Sequence, residues 1–241
     1  MALTDYDALT FDCYGTLIDW ETGITEALRP LTSRLAAPLS QDEVLAAHAV
    51  HESTQQLATP TMPYRRLLAV VYRRLSEEWR LPVSQAECEH YGASIGDWPA
   101  FPDSPEALAY LKRHYRLVIL SNVDDTSFAA SNERLGVSFD AICTAEAIGS
   151  YKPSLRNFDY LLAHLDRIGI RRNRILHTAQ SLFHDHVPAK ELGLATCWID
   201  RRRDKPGFGA TMDPGPLPET DYRFGSMAEL AEAHRTALAS A

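Results

Sequence analysis

The stretch Phe11-Asp12-Cys13-Tyr14-Gly15-Thr16-Leu17-Ile18-Asp19-Trp20 decides the fold of this chain. The mostly apolar residues 6–11 have the length and the β-forming side chains that predict a buried strand. Asp12 ends this strand, and Gly15 lets the chain turn. Because ligands bind beyond the carboxyl ends of the strands in an open parallel sheet, we interpret Asp12 as a carboxylate at the rim of a site, with the Thr16 hydroxyl nearby.

The rest of the chain alternates between helical and strand-like segments in a characteristic order. Helical patterns cover residues 21–36, a segment starting at Ser40, and residues 64–79 and 84–95, with no convincing strand between 21 and 100. Further strands are predicted at 117–120, 141–143, 175–178 and 196–199, separated by helices. A long loop over 201–222 and a last helix over 227–238 follow. This order predicts an α/β fold, a parallel sheet covered on both faces with a helical insertion after the first strand.

Composition and charge exclude several functional classes. The 241 residues allow one large domain, or a core with a smaller inserted one. The net charge of −8 argues against nucleic acid and anionic membranes as partners. The longest basic cluster, Arg201-Arg202-Arg203, is followed by Asp204 and is interpreted as a solvated loop.

The cysteines and the termini point to an intracellular compartment. The four cysteines, at 13, 88, 143 and 197, form no Cys-x-x-Cys pair, so we expect no disulfides. The chain does not start with the basic end and apolar run of a signal peptide. No apolar run approaches the length that spans a membrane. We therefore expect a cytoplasmic protein.

Polar side chains suited to chemistry follow four of the strands. They are Asp12 with Thr16, Ser121 with Asn122, Lys152, and Asp185. Asp12 is the candidate nucleophile because a carboxylate needs no base near neutral pH. Lys152 supplies a positive charge that keeps Asp12 ionised. A turn-capping role for Asp12 is the weaker alternative, since it leaves the other strand ends unexplained.

In order and spacing these residues resemble the four motifs of the haloacid dehalogenase superfamily, over the whole chain. The resemblance implies a Rossmann-like core of residues 1–16 and 101–241 with an α-helical cap of residues 17–100. It also implies that Asp12 is the nucleophile and that Thr16, Lys152 and Asp185 are catalytic. Phosphatases of the superfamily carry a second Asp at the position of Tyr14, so the resemblance points to the branch that attacks carbon. No metal or other cofactor is then implied, because no phosphate charge has to be neutralised.

The same resemblance implies roles for the remaining candidate residues. Ser121 and Asn122 offer a hydroxyl, an amide and backbone N–H groups to a substrate carboxylate. Asp185 pairs with Lys152 and helps to position the water that hydrolyses the ester. His184 either assists there or is structural. The other candidates for substrate binding are Tyr14, Trp20, Phe158 and Ser181.

The leaving group is where the sequence departs from the 2-haloacid dehalogenases. Those enzymes cradle the halide with an Arg from the first cap segment, but residues 45–52 here contain none. Phe158 replaces a Tyr of the dehalogenases, and their Ser-x-Asn before the last Asp reads Gln180-Ser181-Leu182. Several segments instead resemble the bacterial (S)-azetidine-2-carboxylate hydrolases, including Trp98-Pro99-Ala100-Phe101-Pro102-Asp103 and His184-Asp185-His186.

That second resemblance implies that a small cyclic amino acid is opened to 2-hydroxy-4-aminobutyrate. Its leaving group is a ring ammonium, which aromatic faces such as Trp20 and Phe158 favour. Three alternatives stay open: a 2-haloacid dehalogenase that uses Asn122, Arg65 or Arg66 as halide donor, a Mg²⁺-dependent phosphatase, and a non-enzymatic binding protein. Relatives can dimerise through the cap, so a homodimer also stays open.

Overall fold

The computed structural model describes residues 1–240, which form a parallel sheet of six strands surrounded by helices. The sheet order is β3-β2-β1-β4-β5-β6, and every pair is parallel. The strands are β1 (Ala8–Phe11), β2 (Arg116–Ser121), β3 (Ala141–Thr144), β4 (Ile175–Ala179), β5 (Ala195–Ile199) and β6 (Tyr222–Phe224). The predicted α/β fold with its Rossmann-like core is confirmed. Strand β6 was missed, because three residues at the end of a Pro- and Gly-rich loop are too few for a strand pattern.

The first strand occupies the middle of the sheet. Phe11, at the end of β1, is in register with Ile119 of β2 on one side and with Thr178 of β4 on the other. All of β1 is buried. Since parallel strands end at the same edge, the residues that follow β1, β2 and β4 meet there, and this edge carries Asp12.

The first four α-helices after β1 form the insertion. They are α1 (Trp20–Thr32), α2 (Gln41–Ala58), α3 (Tyr64–Glu78) and α4 (Gln85–Ala93). Helix α1 ends four residues before the predicted position 36. Helix α2 begins with the predicted capping box, in which the Ser40 side chain accepts from the Glu43 N–H and Glu43 accepts from the Ser40 N–H. These helices pack mainly on one another, α3 against both α2 and α4.

The remaining helices form the core together with the sheet. They are α5 (Ser104–Leu111), α6 (Asp125–Leu135), α7 (Ala145–Ile148), α8 (Leu155–Arg167), α9 (Val187–Glu191) and α10 (Met227–Ala239). Alternate residues of β2 enter two separate apolar clusters, Leu117 and Ile119 one, Val118 and Leu120 the other. Side chains alternate across a strand, so both faces of the sheet are covered.

Arg201 and Arg202 of the basic cluster at 201–203 are not solvated as the sequence suggested, whereas Arg203 is exposed. Arg202 is only 6% exposed and forms ion pairs with Glu21 of α1 and Asp42 of α2. Arg201 lies 4.0 Å above the Phe101 ring and pairs with Asp103. The prediction failed because acidic partners far away in sequence are brought to the loop by the fold.

Two further sequence expectations concern the cysteines and the membrane. All four cysteines are buried and free, in agreement with the absence of disulfides in the sequence analysis. None of the helices within residues 1–240 combines the length and the apolar character needed to cross a membrane.

Candidate active site

The Asp12 carboxylate is held from two sides directly after β1. The Thr16 hydroxyl donates to Asp12 Oδ2 at 2.7 Å, and Lys152 Nζ donates to Asp12 Oδ1 at 2.9 Å. Thr16 Oγ1 in turn accepts from the Gln180 N–H at 2.9 Å. The carboxylate of Asp12 is therefore fixed in orientation.

Lys152 joins Asp12 to the second predicted carboxylate. Its ammonium also donates to Asp185 Oδ1 at 2.8 Å and to the Leu120 carbonyl at 2.9 Å, so its three protons have three acceptors. His177, in the middle of β4, contacts the same Asp185 oxygen through Nε2 at 2.9 Å. Asp185 Oδ2 is buried and has no partner within residues 1–240. This oxygen is free to receive a water molecule.

Burial and ion pairing act against each other on the charges of this group. Burial opposes the positive charge of Lys152, but the two carboxylates together raise the pKa of its ammonium above the usual value. Burial also opposes the negative charge of Asp185, but Lys152 and His177 hold the pKa of this carboxyl well below its usual range. Burial raises the pKa of Asp12, an effect that Lys152 counteracts. Of the two carboxylates, Asp185 holds its charge more firmly.

A small cavity of about 30 Å³ lies beside these residues. From the sheet it is lined by Asp12, Tyr14, Asn122, Lys152, Ser181, His184 and Asp185. From helices α1 to α3 it is lined by Trp20, Glu52, Gln56 and Tyr64. The helical insertion therefore covers the carboxyl edge of the sheet at Asp12.

Gly15 brings Trp20 to this cavity. Its φ of +93° lies in the region that favours glycine, and a Cβ atom at this position would come within 2.8 Å of Trp20 Nε1 and 3.0 Å of Gln180 Oε1. Trp20 is 7% exposed. A side chain at position 15 would displace the indole, so the turn after Asp12 and the placement of Trp20 depend on one another.

The segment after β4 presents His184 to the cavity. Residues Leu182–His186 form a single π-helical turn, a feature often found at functional sites. The Ser181 hydroxyl accepts from the His184 N–H at 3.0 Å and lies 3.1 Å from His184 Nδ1. The Nε2 atom of His184 is buried without a partner within residues 1–240. Burial lowers the pKa of His184 to about 4, so the ring is neutral at physiological pH.

Three predicted substrate-binding residues are engaged elsewhere or lie away from the cavity. Phe158 is fully buried in the core, edge-on to His177 at 5.3 Å, and does not line the cavity, because the apolar face of α8 turns it towards the sheet. Asn122 does line it, but its amide is paired with the Lys152 backbone through bonds of 2.7 and 3.0 Å. The Ser121 hydroxyl is buried without a partner within residues 1–240 and does not line the cavity.

Tyr14 lines the cavity with its ring while its hydroxyl points away. The phenol oxygen lies 2.9 Å from the Ser131 hydroxyl, and the ring packs edge-on against Trp98 at 5.7 Å. Burial raises the pKa of Tyr14 well above its usual value. The position that holds a general acid in phosphatases is therefore occupied here by an uncharged tyrosine that lines the cavity.

Sequence reasoning missed Glu52, Tyr64 and His177. Glu52 has a signal in retrospect, because it shares the buried stripe of α2 with Leu45 and Ala49 and is itself only 3% exposed. A carboxyl group on a buried helix face calls for an explanation. His177 left no comparable signal, since a histidine inside a strand is most often a packed core residue.

A larger depression of about 590 Å³ lies on the outer side of α3 and α4. It is lined by Arg65, Arg66 and Arg73, among others. Arg65 and Arg66 are exposed there and do not line the cavity that contains Asp12. The larger depression contains none of the strand-end residues.

The family of the chain follows from its sequence. Residues 6–178 match the family model described as haloacid dehalogenase-like hydrolase. The match covers well over half of the chain, so the protein belongs to the haloacid dehalogenase-like hydrolases and is an enzyme of the hydrolase class. None of the curated proteins compared with the chain matches it.

Solved structures of L-2-haloacid dehalogenases share the whole fold. The dehalogenase PA0810 has a TM-score of 0.75 and 20% identity over 96% of this chain and 99% of its own. The defluorinating enzyme Rha0230 has a TM-score of 0.76 and 20% identity over 97% and 98%. The enzyme from Xanthobacter autotrophicus, with chloropropionic acid covalently bound, has a TM-score of 0.76 and 16% identity over 95% and 98%. At these identities the likeness establishes the fold.

Proposed function

We propose that this hydrolase displaces a leaving group from the α-carbon of a small 2-substituted carboxylate, and that (S)-azetidine-2-carboxylate is its substrate. The product is 2-hydroxy-4-aminobutyrate. The observation that carries the proposal is the charge of the cavity. Its nucleophile Asp12 is held by Lys152, and among the described residues that line it no other cation is available for a departing anion.

In the first step Asp12 attacks the α-carbon. A bond forms between a carboxylate oxygen of Asp12 and this carbon, and the bond from the carbon to the ring nitrogen breaks on the opposite side, with its electron pair going to nitrogen. The result is an ester on Asp12 with an open aminoethyl chain. Splitting one displacement into two steps is the general advantage of covalent catalysis.

In the second step water attacks the carbonyl carbon of the Asp12 ester. The bond from this carbon to the ester oxygen breaks, so the product keeps an oxygen of Asp12 as its hydroxyl and has inverted configuration. Asp185 Oδ2 and His184 Nε2 belong to residues that line the cavity and have no hydrogen-bond partners within residues 1–240, and we assign them to the water. Lys152 steadies the negative charge that develops on the ester.

The leaving-group side of the cavity favours a nitrogen. Of the halide donors that the sequence suggested, Arg65 and Arg66 are on the outer surface, and one N–H of the Asn122 amide already donates to the Lys152 carbonyl. The Trp20 indole offers an aromatic surface to a cationic ring instead. Phe158, buried against His177, has no part in this contact.

A 2-haloacid dehalogenase is the second candidate. It is favoured by the fold shared with dehalogenases, one of which holds chloropropionic acid covalently. A Mg²⁺-dependent phosphatase fits less well. Tyr14 replaces the expected acid, and Lys152 Nζ already contacts both Asp12 and Asp185.

A turnover assay in EDTA tests the proposal. The enzyme and its Asp12→Asn variant are offered (S)-azetidine-2-carboxylate and (S)-2-chloropropionate separately, and products are identified by mass spectrometry. We expect the ring-opened amino-hydroxy acid from the enzyme, none from the variant, and no chloride release. Chloride release with an intact ring would replace the proposal by the dehalogenase, and activity only with Mg²⁺ and a phosphate ester would replace it by the phosphatase.

A further inference from the structure

We propose that Glu52 is the acid that protonates the departing ring nitrogen, a role that rests on the proposed function. No motif of the sequence analysis includes this residue. It belongs to α2, in the segment where dehalogenases carry an Arg for their halide. The inference is that a carboxyl group here serves a leaving amine.

The geometry of Glu52 suits this role. Its side chain is buried, 3% exposed, and lines the small cavity together with Asp12. The Tyr64 hydroxyl donates to Glu52 Oε1, which fixes the carboxyl group and leaves Oε2 to meet a ligand. Glu52 lies on the helical side of the cavity and Asp12 on the sheet side. A substrate between them has the nucleophile on one side and the acid on the other, as a displacement with inversion requires.

The charge state of Glu52 also suits the role of an acid. Asp12 and Asp185 share the Lys152 ammonium, but none of the hydrogen bonds and ion pairs within residues 1–240 joins Glu52 to a cation. Burial raises the pKa of Glu52 to about 7, although the Tyr64 hydrogen bond works in the opposite direction. A carboxyl group with such a pKa carries a transferable proton near neutral pH, which is the condition for general acid catalysis.

The protons balance over the two steps of the reaction. The substrate enters as an ammonium, and breakage of its bond to the α-carbon leaves a lone pair on nitrogen. Glu52 donates its proton to this pair and becomes a carboxylate beside the new primary ammonium. Hydrolysis of the Asp12 ester consumes one water and releases one proton once Asp12 is ionised again. That proton returns Glu52 to its acid form.

The test compares Glu52→Gln with the enzyme and with Tyr64→Phe in rapid-quench experiments on (S)-azetidine-2-carboxylate. The first turnover and the amount of ester on Asp12 are followed by mass spectrometry of the intact protein. We expect Glu52→Gln to slow ring opening by about 100-fold without accumulation of the ester. Tyr64→Phe keeps the carboxyl group of Glu52, so its rate of ring opening is expected to fall much less. Circular dichroism confirms that each variant is folded, and Glu52→Asp replaces Glu52→Gln if the latter is not.

The possible outcomes separate the inference from the proposed function. Ring opening by Glu52→Gln at the rate of the enzyme would overturn the inference and leave the proposed function intact. A slow variant in which the ester accumulates would also overturn it, since Glu52 would then act in the hydrolysis step. If the enzyme itself does not open the ring, the proposed function fails and the inference with it.

Discussion

At the scale of single residues, the molecule is organised around a buried cation between two carboxylates. Lys152 is 1% exposed, and its ammonium contacts Asp12 and Asp185 at 2.9 and 2.8 Å. Removing charges from water is costly, so a buried charged group depends on close counter-charges and hydrogen bonds. Here the Lys152 ammonium has three acceptors, and Asp185 Oδ1 is also contacted by His177. The group holds the Asp12 carboxylate beside a fixed positive charge.

We predict that Asp185→Asn lowers the free energy of unfolding by about 3 kcal/mol at pH 7, because Lys152 loses one of two buried counter-charges. The pKa of Asp185 is lowered in the folded state. Its stabilising contribution is therefore complete above the pKa of the unfolded chain and is lost as the pH falls through the folded value. The difference in free energy of unfolding between the enzyme and the variant should therefore become smaller as the pH is lowered.

Urea unfolding across this pH range measures the effect. Asp97→Asn, at a surface aspartate whose side chain is 90% exposed, serves as the control and should leave the stability unchanged. A gap that stays constant into the acid range would mean that the charge of Asp185 does not stabilise the fold.

His184 gives a second prediction at this scale. His184 lines the cavity and its Nε2 has no partner within residues 1–240, so His184→Gln should slow hydrolysis of the ester by about 10- to 100-fold while ring opening continues. Mass spectrometry of the intact protein should then detect the ester on Asp12 during turnover. An unchanged rate with no accumulated ester would assign His184 to structure alone.

At the scale of elements, two aromatic residues that looked alike in the sequence lie in different surroundings. Trp20 begins α1 and lines the cavity, whereas Phe158 belongs to α8 and packs with Leu161 and Leu165 under the sheet. The face that each helix turns to its neighbours decides the difference. Helix α1 reaches the carboxyl edge directly after the Asp12 turn, while α8 lies along the sheet.

The two helices give a paired prediction. Phe158→Leu should lower the free energy of unfolding by about 1–3 kcal/mol through lost packing and leave kcat/KM unchanged. Trp20→Leu should reduce kcat/KM for (S)-azetidine-2-carboxylate about fivefold, as expected from loss of a cation–π contact of about 1 kcal/mol. Thermal unfolding and steady-state kinetics on both variants test this pair of predictions. The reverse pattern would place the ligand against α8.

At the scale of the whole molecule, a C-terminal loop joins the sheet to the helical insertion. Arg202 pairs with Glu21 of α1 and Asp42 of α2, and it also donates to the Pro206 carbonyl. Arg201 donates to the Thr16 carbonyl, four residues after Asp12. Because this loop holds the insertion over the site, its residues affect stability more than a surface loop would.

We predict that Arg202→Ala lowers the free energy of unfolding by about 3–5 kcal/mol, because it leaves the buried Glu21 carboxylate without its closest cation. The neighbouring Arg203→Ala is the matched control. Arg203 forms only a half-exposed pair with Glu229, so a change below about 1 kcal/mol is expected. Equal effects in the two variants would show that the loop does not hold the insertion.

Much of the fold and part of the site could be predicted from local patterns. Strand length and apolar content identified β1 to β5, and helical spacing identified the insertion, because both depend on near neighbours in the chain. The strand-end residues Asp12, Lys152 and Asp185 could be grouped because parallel strands end at one edge. The buried face of α2 could have indicated Glu52, but its place at the cavity and the burial of Arg202 could not be predicted, since both depend on distant segments.

The sequence by itself thus determined the sheet with its inserted helices and the chemical groups that follow the strands. The tertiary structure alone decided which groups meet: that Lys152 bonds both carboxylates, that Phe158 turns into the core, and that Glu52 closes the cavity from α2. The physical reason is the distance along the chain over which each interaction acts. Periodicity and turn chemistry act over a few residues, whereas burial, desolvation and ion pairing depend on which segments the folded chain brings into contact.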